Sequence, residues 1–493
     1  MRYRFGFVIA LLALLVSCDA GIQGNFSDNL PPKTYLTVEK INLPEGDRLV
    51  SQITISWWGD DPDGYIVGYE FRIGNTDLSE WTFTTRTDSV FVLPIPPGET
   101  DADVRFTVRA IDNNDARDPE PPSVVFPIRN SPPEISFATN QTPPDSTFRI
   151  ASFGWNVNDP DGTPNLNRVE IALNDTSQWH PVPVEIDFIT LRVDDTIPDP
   201  EAQVFFGRAL IKSDIVFTDV NVDAENTLYV RAFDNAEASS AVISHQWFVK
   251  QQRSSVLFFN DIENPDAPNR VAQHLRLLRE NGIDVVDYID ISDGNAISGQ
   301  RVPFTSALPD RSLADPTTNR MLAEWNHIYW VSDNLDRHIS YALEMTLDFF
   351  SNGGTMFINI PTKRISDDNP LLEFLPFERM EQLPAGQQSF IVQTNSLVTP
   401  LPGVTGIPVL TIRRNLLSYY PIVPFGGSVS LYNADFRTRT PFGTSDFNGS
   451  KVVAVTNPEQ DILYFGIDFF EFTADSDLSS LVRYSVIETL GFQ

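Results

Sequence analysis

The chain has 493 residues, with 66 acidic against 35 basic residues and a formal net charge of −31. A surface this acidic argues against nucleic acid and against anionic membrane faces as partners. This length predicts two to four domains with separate cores, and the single cysteine, Cys18, excludes a disulfide framework.

The first residues have the features of a signal peptide. Arg2 and Arg4 supply a small positive charge, and Phe5 to Val16 is an apolar run too short to span a bilayer as a stable helix. The run ends in Leu15-Val16-Ser17-Cys18, which resembles the lipobox of bacterial lipoproteins. That resemblance implies cleavage before Cys18 and acylation of the new N-terminal residue. The alternative is a secreted protein whose cysteine lies at the cleavage site by accident.

We therefore expect a signal peptide over 1–17 and a lipidated, flexible tether over 18–32. Buried acyl chains contribute about 0.8 kcal/mol per methylene, so several chains on Cys18 would hold the protein firmly at a membrane. The expected location is the bacterial cell envelope, with the outer membrane or cell surface favoured over the inner membrane. Asp19 retains some lipoproteins at the inner membrane, but that sorting rule is not general.

Two stretches of the chain repeat one pattern of strands and turns. A strand containing Trp57 precedes Asp61-Pro62-Asp63-Gly64, and a strand containing Trp155 precedes Asp159-Pro160-Asp161-Gly162. Each copy begins with a double proline, at Pro31-Pro32 and Pro132-Pro133, and alternates apolar and polar residues as half-buried strands do. The second copy is longer by about two dozen residues, with the insertion predicted around 182–207. The pattern predicts two antiparallel β-sandwiches.

These residues resemble fibronectin type III domains. That family has a core tryptophan on its second strand and a Val-Arg-Ala sequence on its sixth, matched here at Val108-Arg109-Ala110 and Val230-Arg231-Ala232. The resemblance implies sandwiches over 33–130 and 131–252, the second with the insertion. The chain departs from the family at the sandwich-corner tyrosine, where it has Val104 and Asn226, so a related immunoglobulin-like sandwich is the alternative.

The acidic turns of both copies have two interpretations. Carboxylate oxygens are ligands that Ca²⁺ takes, whereas Asp-Pro-Asp-Gly is also a good turn by itself. The turn is favoured because no full calcium-loop spacing is present, and we expect no other cofactor. In the same way, Trp58 and Trp81 could stack against a sugar, with packing favoured. The candidate calcium ligands are Asp60, Asp61, Asp63 and Asp112 in the first copy and Asp159, Asp161 and Asp234 in the second.

The pattern changes near Arg253 to alternating strands and helices. Ser255 to Asn260 is a continuous apolar strand, and helical spacing follows over 268–281. Further strands are predicted over 283–291, 326–333, 355–360, 451–456 and 462–469, with helices over 340–352 and 478–490. This alternation predicts an α/β doubly wound, mostly parallel sheet over 253–493.

The last segment resembles the class I glutamine amidotransferase-like, flavodoxin-like superfamily. The supporting residues are Phe258-Phe259-Asn260-Asp261 and the run from Leu347 to Gly353-Gly354-Thr355. Active members carry a cysteine after the fourth strand, where this chain has Asn359-Ile360-Pro361-Thr362. Thiol catalysis of that type is therefore excluded. The sequence also lacks a Gly-x-Ser-x-Gly elbow, a His-Glu-x-x-His pair and a phosphate-binding Gly-rich loop with lysine.

The remaining candidate for a ligand pocket is the edge where the parallel strands end, since open α/β sheets bind ligands there. We predict a non-catalytic binding or scaffold lipoprotein, with the sandwiches as a stalk and a protein or glycan as partner. The alternative is an envelope hydrolase that uses carboxylates at the strand ends, and paired carboxylates around Asp261 and Asp333 would favour it. The predicted pocket contains Asn260, Asp261, Ser332, Asp333 and Pro361.

Overall fold

The computed structural model describes residues 28–38, 48–74, 80–292, 307–335 and 337–493. Cys18 lies outside these residues, so the signal peptide and the lipidation remain predictions. The chain forms two compact units, one of Met1–Pro132, Asp159–Asn165 and Asp234–Ala238, the other of Pro133–Asn158, Leu166–Phe233 and Ser239–Gln493. Among the described helices, none has the length and apolar character needed to cross a bilayer.

The first sandwich consists of two sheets around an aromatic core. Ile55 and Trp57 alternate with exposed residues along one strand, so their side chains lie on the same, inner face. The inner face of the other sheet adds Phe106 and Val108, both fully buried. One sheet has the order β1 (Lys33–Val38), β3 (Gln52–Asp60), β6 (Asp88–Val92), and the other β2 (Leu49–Val50), β8 (Ser123–Arg129), β7 (Asp101–Asp112), β4 (Ile66–Ile73), β5 (Thr82–Thr84).

The second sandwich repeats this arrangement and adds a hairpin. Strands β15 (Glu201–Phe206) and β16 (Ile211–Phe217) extend the edge of one sheet and have no counterpart in the first sandwich, so the extra hairpin overlaps the end of the insertion predicted around 182–207 and extends beyond it. The predicted antiparallel sandwiches are confirmed. One sheet has the order β16 (Ile211–Phe217), β15 (Glu201–Phe206), β14 (Phe188–Asp194), β11 (Ile150–Asn158), β9 (Glu134–Phe137), and the other β10 (Ser146–Thr147), β18 (Ile243–Val249), β17 (Ala224–Asp234), β12 (Leu166–Leu173), β13 (His180–Pro183).

The C-terminal region is built on an 11-stranded sheet that is mixed rather than mostly parallel. Its parallel part has the order β20 (Asp287–Asp290), β19 (Val256–Asp261), β21 (His327–Ser332), β22 (Thr355–Asn359), β33 (Ile462–Phe465). It continues through β32 (Val452–Thr456), β29 (Val429–Ala434), β25 (Leu397–Pro400) and β26 (Leu410–Thr411), with β28 (Ile422–Pro424) and β23 (Phe377–Met380) beside β32. A separate four-stranded sheet has the order β27 (Leu416–Leu417), β24 (Ser389–Val392), β30 (Phe436–Thr440), β31 (Gly443–Asp446).

Both faces of the parallel strands are covered. Every residue of β19 is buried, with Val256 and Phe258 in one hydrophobic core and Leu257 and Phe259 in another. This explains the continuous apolar run in the sequence. The α-helices are α1 (Ala267–Glu280), α2 (Asn319–Leu322), α3 (Ala342–Met345), α4 (Leu347–Ser351) and α5 (Asp475–Val482). Short 3₁₀ helices cover Thr163–Asn165, Arg311–Leu313, His338–Tyr341, Pro370–Glu373 and Phe469–Glu471, and π helices cover Ala314–Thr318 and Arg483–Thr489.

The helix predicted over 340–352 is interrupted at Thr346. The backbone there leaves helical geometry (φ −118°), and the Thr346 hydroxyl donates a hydrogen bond to the carbonyl of Ala342. The amide of Asp348 is bound by the side chain of Asn319 rather than by the preceding turn (2.9 Å). A tertiary contact thus replaces the regular helix that the local pattern predicts.

The second sandwich shares a hydrophobic core with the C-terminal region. Phe148 and Ile150 belong to the same buried cluster as Leu257, and Phe148 lies edge-on against Trp325, with ring centroids 4.9 Å apart. Glu324 accepts hydrogen bonds from Arg192 (2.8 and 2.9 Å) and lies 3.4 Å from Arg149. Core and ion pairs together join these parts into one compact unit.

Candidate functional site

The candidate site lies where β19 and β21 end. The two strands pair in parallel, with Asp261 beside Ser332, and β20 lies on the other side of β19. The chain therefore leaves β19 and β21 toward opposite sides of the sheet, and such a switch point is where open α/β sheets bind ligands. The structure brings four of the predicted residues to this edge: Asn260, Asp261, Ser332 and Asp333.

Asp261 is the most deeply buried carboxylate of the site, with no exposed side-chain surface. Its Oδ1 is hydrogen-bonded to Nδ1 of His338 (2.8 Å) and lies 3.8 Å from the guanidinium of Arg337. Burial raises the pKa of Asp261, while the hydrogen bond from His338 and the charge of Arg337 act in the opposite direction. The Ser332 hydroxyl donates to the Asp261 carbonyl oxygen (2.9 Å) and accepts a hydrogen bond from the Asn334 amide (3.2 Å).

Arg337 connects the carboxylates of the site. Its guanidinium, 9% exposed, lies 2.7 Å from Glu263 and 3.9 Å from Asp333. Asp333 also accepts a hydrogen bond from the backbone amide of Asn264 (3.0 Å), at the start of the loop that leads into α1. The predicted carboxylates are therefore held by one arginine and by backbone amides rather than paired with each other.

Sequence reasoning missed Arg337 and His338. Both follow β21, Arg337 just before and His338 at the start of the 3₁₀ helix His338–Tyr341, and neither belongs to a motif. Only an indirect signal could have found them. A buried carboxylate such as Asp261 needs a hydrogen-bond donor or a cation, and Arg337-His338 is the first sequence after the neighbouring strand β21 that offers both.

Pro361, the fifth predicted pocket residue, is buried just beyond the end of β22. The side-chain amide of Asn359 donates to the carbonyl oxygens of Phe465 (2.9 Å) and Ile467 (2.8 Å). The end of β22 is thus tied to the end of β33.

The acidic loops hold the chain segment that precedes each sandwich. Asp112 and Asp63 accept hydrogen bonds from the Asn29 side chain and the Leu30 amide. In the second copy, Asp234 and Asp161 accept hydrogen bonds from the Asn130 side chain and the Ser131 amide. The same two acids of each copy bind the same two positions of an Asn-x-Pro-Pro segment, which the sequence did not reveal.

All six oxygens of the second set of carboxylates accept hydrogen bonds from the protein. The donors are the amide of Asp161 and the side chain of Asn165 for Asp159, the amides of Ser51 and Ser131 for Asp161, and the amide of Ala238 and the side chain of Asn130 for Asp234. In the first set, burial and the charges of Asp63 and Asp112 raise the pKa of Asp61, and Asp60 is exposed. The described residues contain no group of three or more side chains placed to hold a metal ion.

Replacing Asp161 with alanine is expected to lower the free energy of unfolding by about 2 kcal/mol, because two backbone amides lose their acceptor. Hydrogen exchange measured by mass spectrometry should show faster exchange at Ser51 and Ser131. The control is Asp175→Ala, which removes an exposed carboxylate that caps Ser177 and should change stability by less than about 0.5 kcal/mol. Unchanged exchange at Ser51 and Ser131 in Asp161→Ala would show that Asp161 does not hold these segments.

The two tryptophans considered for sugar stacking differ in their surroundings. Trp58 is half exposed and stacks on Tyr35, with ring centroids 4.1 Å apart. Trp81 lies against the guanidinium groups of Arg109 (3.9 Å) and Arg72 (4.8 Å). Only Trp58 therefore keeps a large exposed aromatic surface, and the glycan partner remains a prediction.

No family model and no curated protein matches the chain. Among solved structures, it is similar to fibronectin(III)-like modules of Clostridium thermocellum CbhA, with 14% identity over 44% of this chain and 95% of that chain and a TM-score of 0.17. A two-domain fibronectin type III segment of chicken tenascin matches with 15% identity over 45% and 99% and a TM-score of 0.18. The fibronectin type III array of RIM-binding protein matches with 15% identity over 46% and 72% and a TM-score of 0.15. The sandwich assignment rests on the strand pairing of this chain itself.

Proposed function

We propose that this protein is a lipoprotein of the bacterial cell envelope, anchored through acylated Cys18, whose C-terminal region is a non-catalytic binding or scaffold module. The observation that carries the non-catalytic part is the position of Arg337. Its guanidinium lies among Asp261, Glu263 and Asp333, so the carboxylates at the strand ends hold the fold together.

The order of the parallel strands supports a relationship to the amidotransferase-like superfamily. Strands β20, β19, β21 and β22 follow the flavodoxin-like order 2-1-3-4. Where the family has its nucleophile, this chain has the segment that begins at Asn359. The side-chain amide of Asn359 donates hydrogen bonds to two backbone carbonyl groups. We therefore propose that the region kept the scaffold and lost the thiol chemistry.

The shared core supports the scaffold role. A stalk that displays a binding module works best when it is rigidly joined to that module, and Phe148 and Glu324 provide such a join. The second sandwich is then joined to the C-terminal region by packing rather than by a flexible linker.

The anchor is tested by metabolic labelling of the full chain in a bacterial host with a palmitate analogue. The wild-type protein should carry the label and enter the detergent phase, whereas Cys18→Ser should do neither, because it lacks the thiol. Ser17→Ala keeps a small residue before the cysteine and should behave like the wild type. A wild-type chain without acyl groups would overturn the anchored part of the proposal.

One observation favours the alternative, an envelope hydrolase. Asp261 is buried and hydrogen-bonded to His338, an arrangement in which a carboxylate orients an imidazole that acts as a general base. Turnover of an envelope glycan or peptide that is lost in both Asp261→Asn and His338→Gln, and kept in the exposed Asp88→Asn, would replace the non-catalytic proposal.

A further inference from the structure

The second sandwich and the C-terminal region line a partly open cavity of about 220 Å³. Strands β11, β14 and β15 and the β15–β16 turn form one side, and α2 and α4 form the other. Both sides belong to the unit that shares one hydrophobic core. The residues that line the cavity are Ile150, Thr190, Arg192, Phe205, Leu210, Arg320 and Asp348.

The hairpin that distinguishes the second sandwich from the first supplies part of the wall. Phe205 lies on β15, and Leu210 lies in the turn with a left-handed backbone (φ 52°), which is uncommon for a residue with a side chain. The turn also contacts the C-terminal region, because Arg208 donates a hydrogen bond to the carbonyl of Ser312 (3.5 Å). The insertion therefore closes a cavity that the repeated module alone would lack.

The polar part of the wall is held in place before any ligand binds. The Thr190 hydroxyl is hydrogen-bonded to Ser152 (2.8 Å), which accepts a hydrogen bond from Thr317 (2.7 Å). Arg192 is fixed by both oxygens of Glu324. A binding site in which the side chains are already ordered loses less conformational entropy on binding.

Two opposite charges in the wall lack a partner within the described part of the chain. Arg320 and Asp348 are both half-buried, and neither side chain forms an ion pair or a hydrogen bond there, with each other or with another residue. The charge of Arg192, by contrast, is neutralised by Glu324. Partly desolvated charges are costly unless they are compensated, so a ligand that brings both opposite charges gains most from this wall.

We propose that this cavity binds a small zwitterion with an apolar side chain, of the free α-amino acid class. The ligand carboxylate pairs with Arg320, its ammonium with Asp348, and its side chain packs against Ile150, Phe205 and Leu210. A simple anion would leave Asp348 uncompensated. The volume of about 220 Å³ is below the roughly 300–1,000 Å³ of pockets for drug-sized ligands, and it suits a ligand of this small size. Binding here goes beyond the proposed function, since it needs neither the lipid anchor nor the cluster around Arg337.

Thermal unfolding of the full-length protein with L-leucine and two analogues tests this proposal. Leucine should raise the melting temperature and saturate, as expected when a ligand binds only the folded state. The analogue without the amino group, 4-methylpentanoate, and the analogue without the carboxylate, 3-methylbutylamine, should each bind at least about tenfold more weakly, because each leaves one wall charge unpaired. No saturable response to leucine, or an equal response to 4-methylpentanoate, would overturn the proposal.

Variants assign the binding to the cavity. Arg320→Met and Asp348→Asn should each weaken the leucine response at least about tenfold, whereas Arg439→Met, an exposed arginine on β30, should leave it unchanged. Should a charge variant fail to fold, Leu210→Trp fills the cavity without touching a charge and should also abolish the response. A wild-type response in Arg320→Met would contradict the assignment. Cys18→Ser should bind leucine normally, so the failure of the anchor and the failure of this site can be told apart.

Discussion

Replacing Phe148 with alanine is expected to lower the free energy of unfolding by about 3–5 kcal/mol. The side chain is 5% exposed and lies edge-on against Trp325, whose indole N–H donates to Asp287 (2.8 Å). Removing the ring leaves a cavity between the second sandwich and the C-terminal region, where neither partner can collapse without moving a sheet. Urea unfolding followed by tryptophan fluorescence and by circular dichroism measures the loss.

The matched control is Phe442→Ala. Phe442 is 99% exposed beside the turn between β30 and β31, so its removal should change the free energy of unfolding by less than about 0.5 kcal/mol. Because Phe148 belongs to a shared core, its loss should shift the unfolding of the second sandwich and of the C-terminal region together. Two separate unfolding transitions, of which only one shifts to lower urea concentration in Phe148→Ala, would contradict the shared core.

Acidification is expected to destabilise the protein through His274 in the pH range between about 6.5 and 3. Burial, together with the positive charge of Arg270, lowers the pKa of His274 from 6.5 to about 3. Below pH 6.5 His274 becomes protonated in the unfolded chain but stays neutral in the folded chain. The free energy of unfolding is therefore unaffected by His274 above this pH. Below this pH it falls by about 1.4 kcal/mol per pH unit until the folded histidine titrates. At pH 4.5 the expected cost is about 3 kcal/mol.

A comparison of the wild type with His274→Leu isolates this contribution. The substitution removes the titrating group and its hydrogen bond to the Tyr329 hydroxyl (2.9 Å), so the variant is less stable at pH 7. Its stability should nevertheless fall less steeply than that of the wild type between pH 6.5 and 4.5. Parallel slopes of unfolding free energy against pH would show that His274 does not carry the acid sensitivity.

The strand ends show which parts of the candidate site can be predicted from the local sequence pattern. The positions of Asp261 and Asp333 were predictable, because two continuous apolar strands of a parallel sheet end at the same edge. The partners of these carboxylates were not, since Arg337 and His338 lie at the start of a short 3₁₀ helix whose position depends on packing. The antiparallel strands between 377 and 446 also went unrecognised, because several of them are only two to four residues long and show no clear alternation.

The acidic turns show the reverse case. Aspartate and glycine were sufficient to predict a turn, and the turns are present. Which groups their oxygens contact depended on what lies opposite, and the structure places the Asn-x-Pro-Pro segment of the same unit there.

The sequence by itself determined the two sandwiches, because the alternation of apolar and polar residues is a local property of the chain. Only the tertiary structure decided which charges meet. Arg192 and Glu324 are 132 positions apart, and the cavity with Arg320 and Asp348 exists only because an inserted hairpin packs against two short helices. Contacts between residues so far apart in the sequence depend on how whole strands and helices pack, and a short stretch of sequence does not determine that packing.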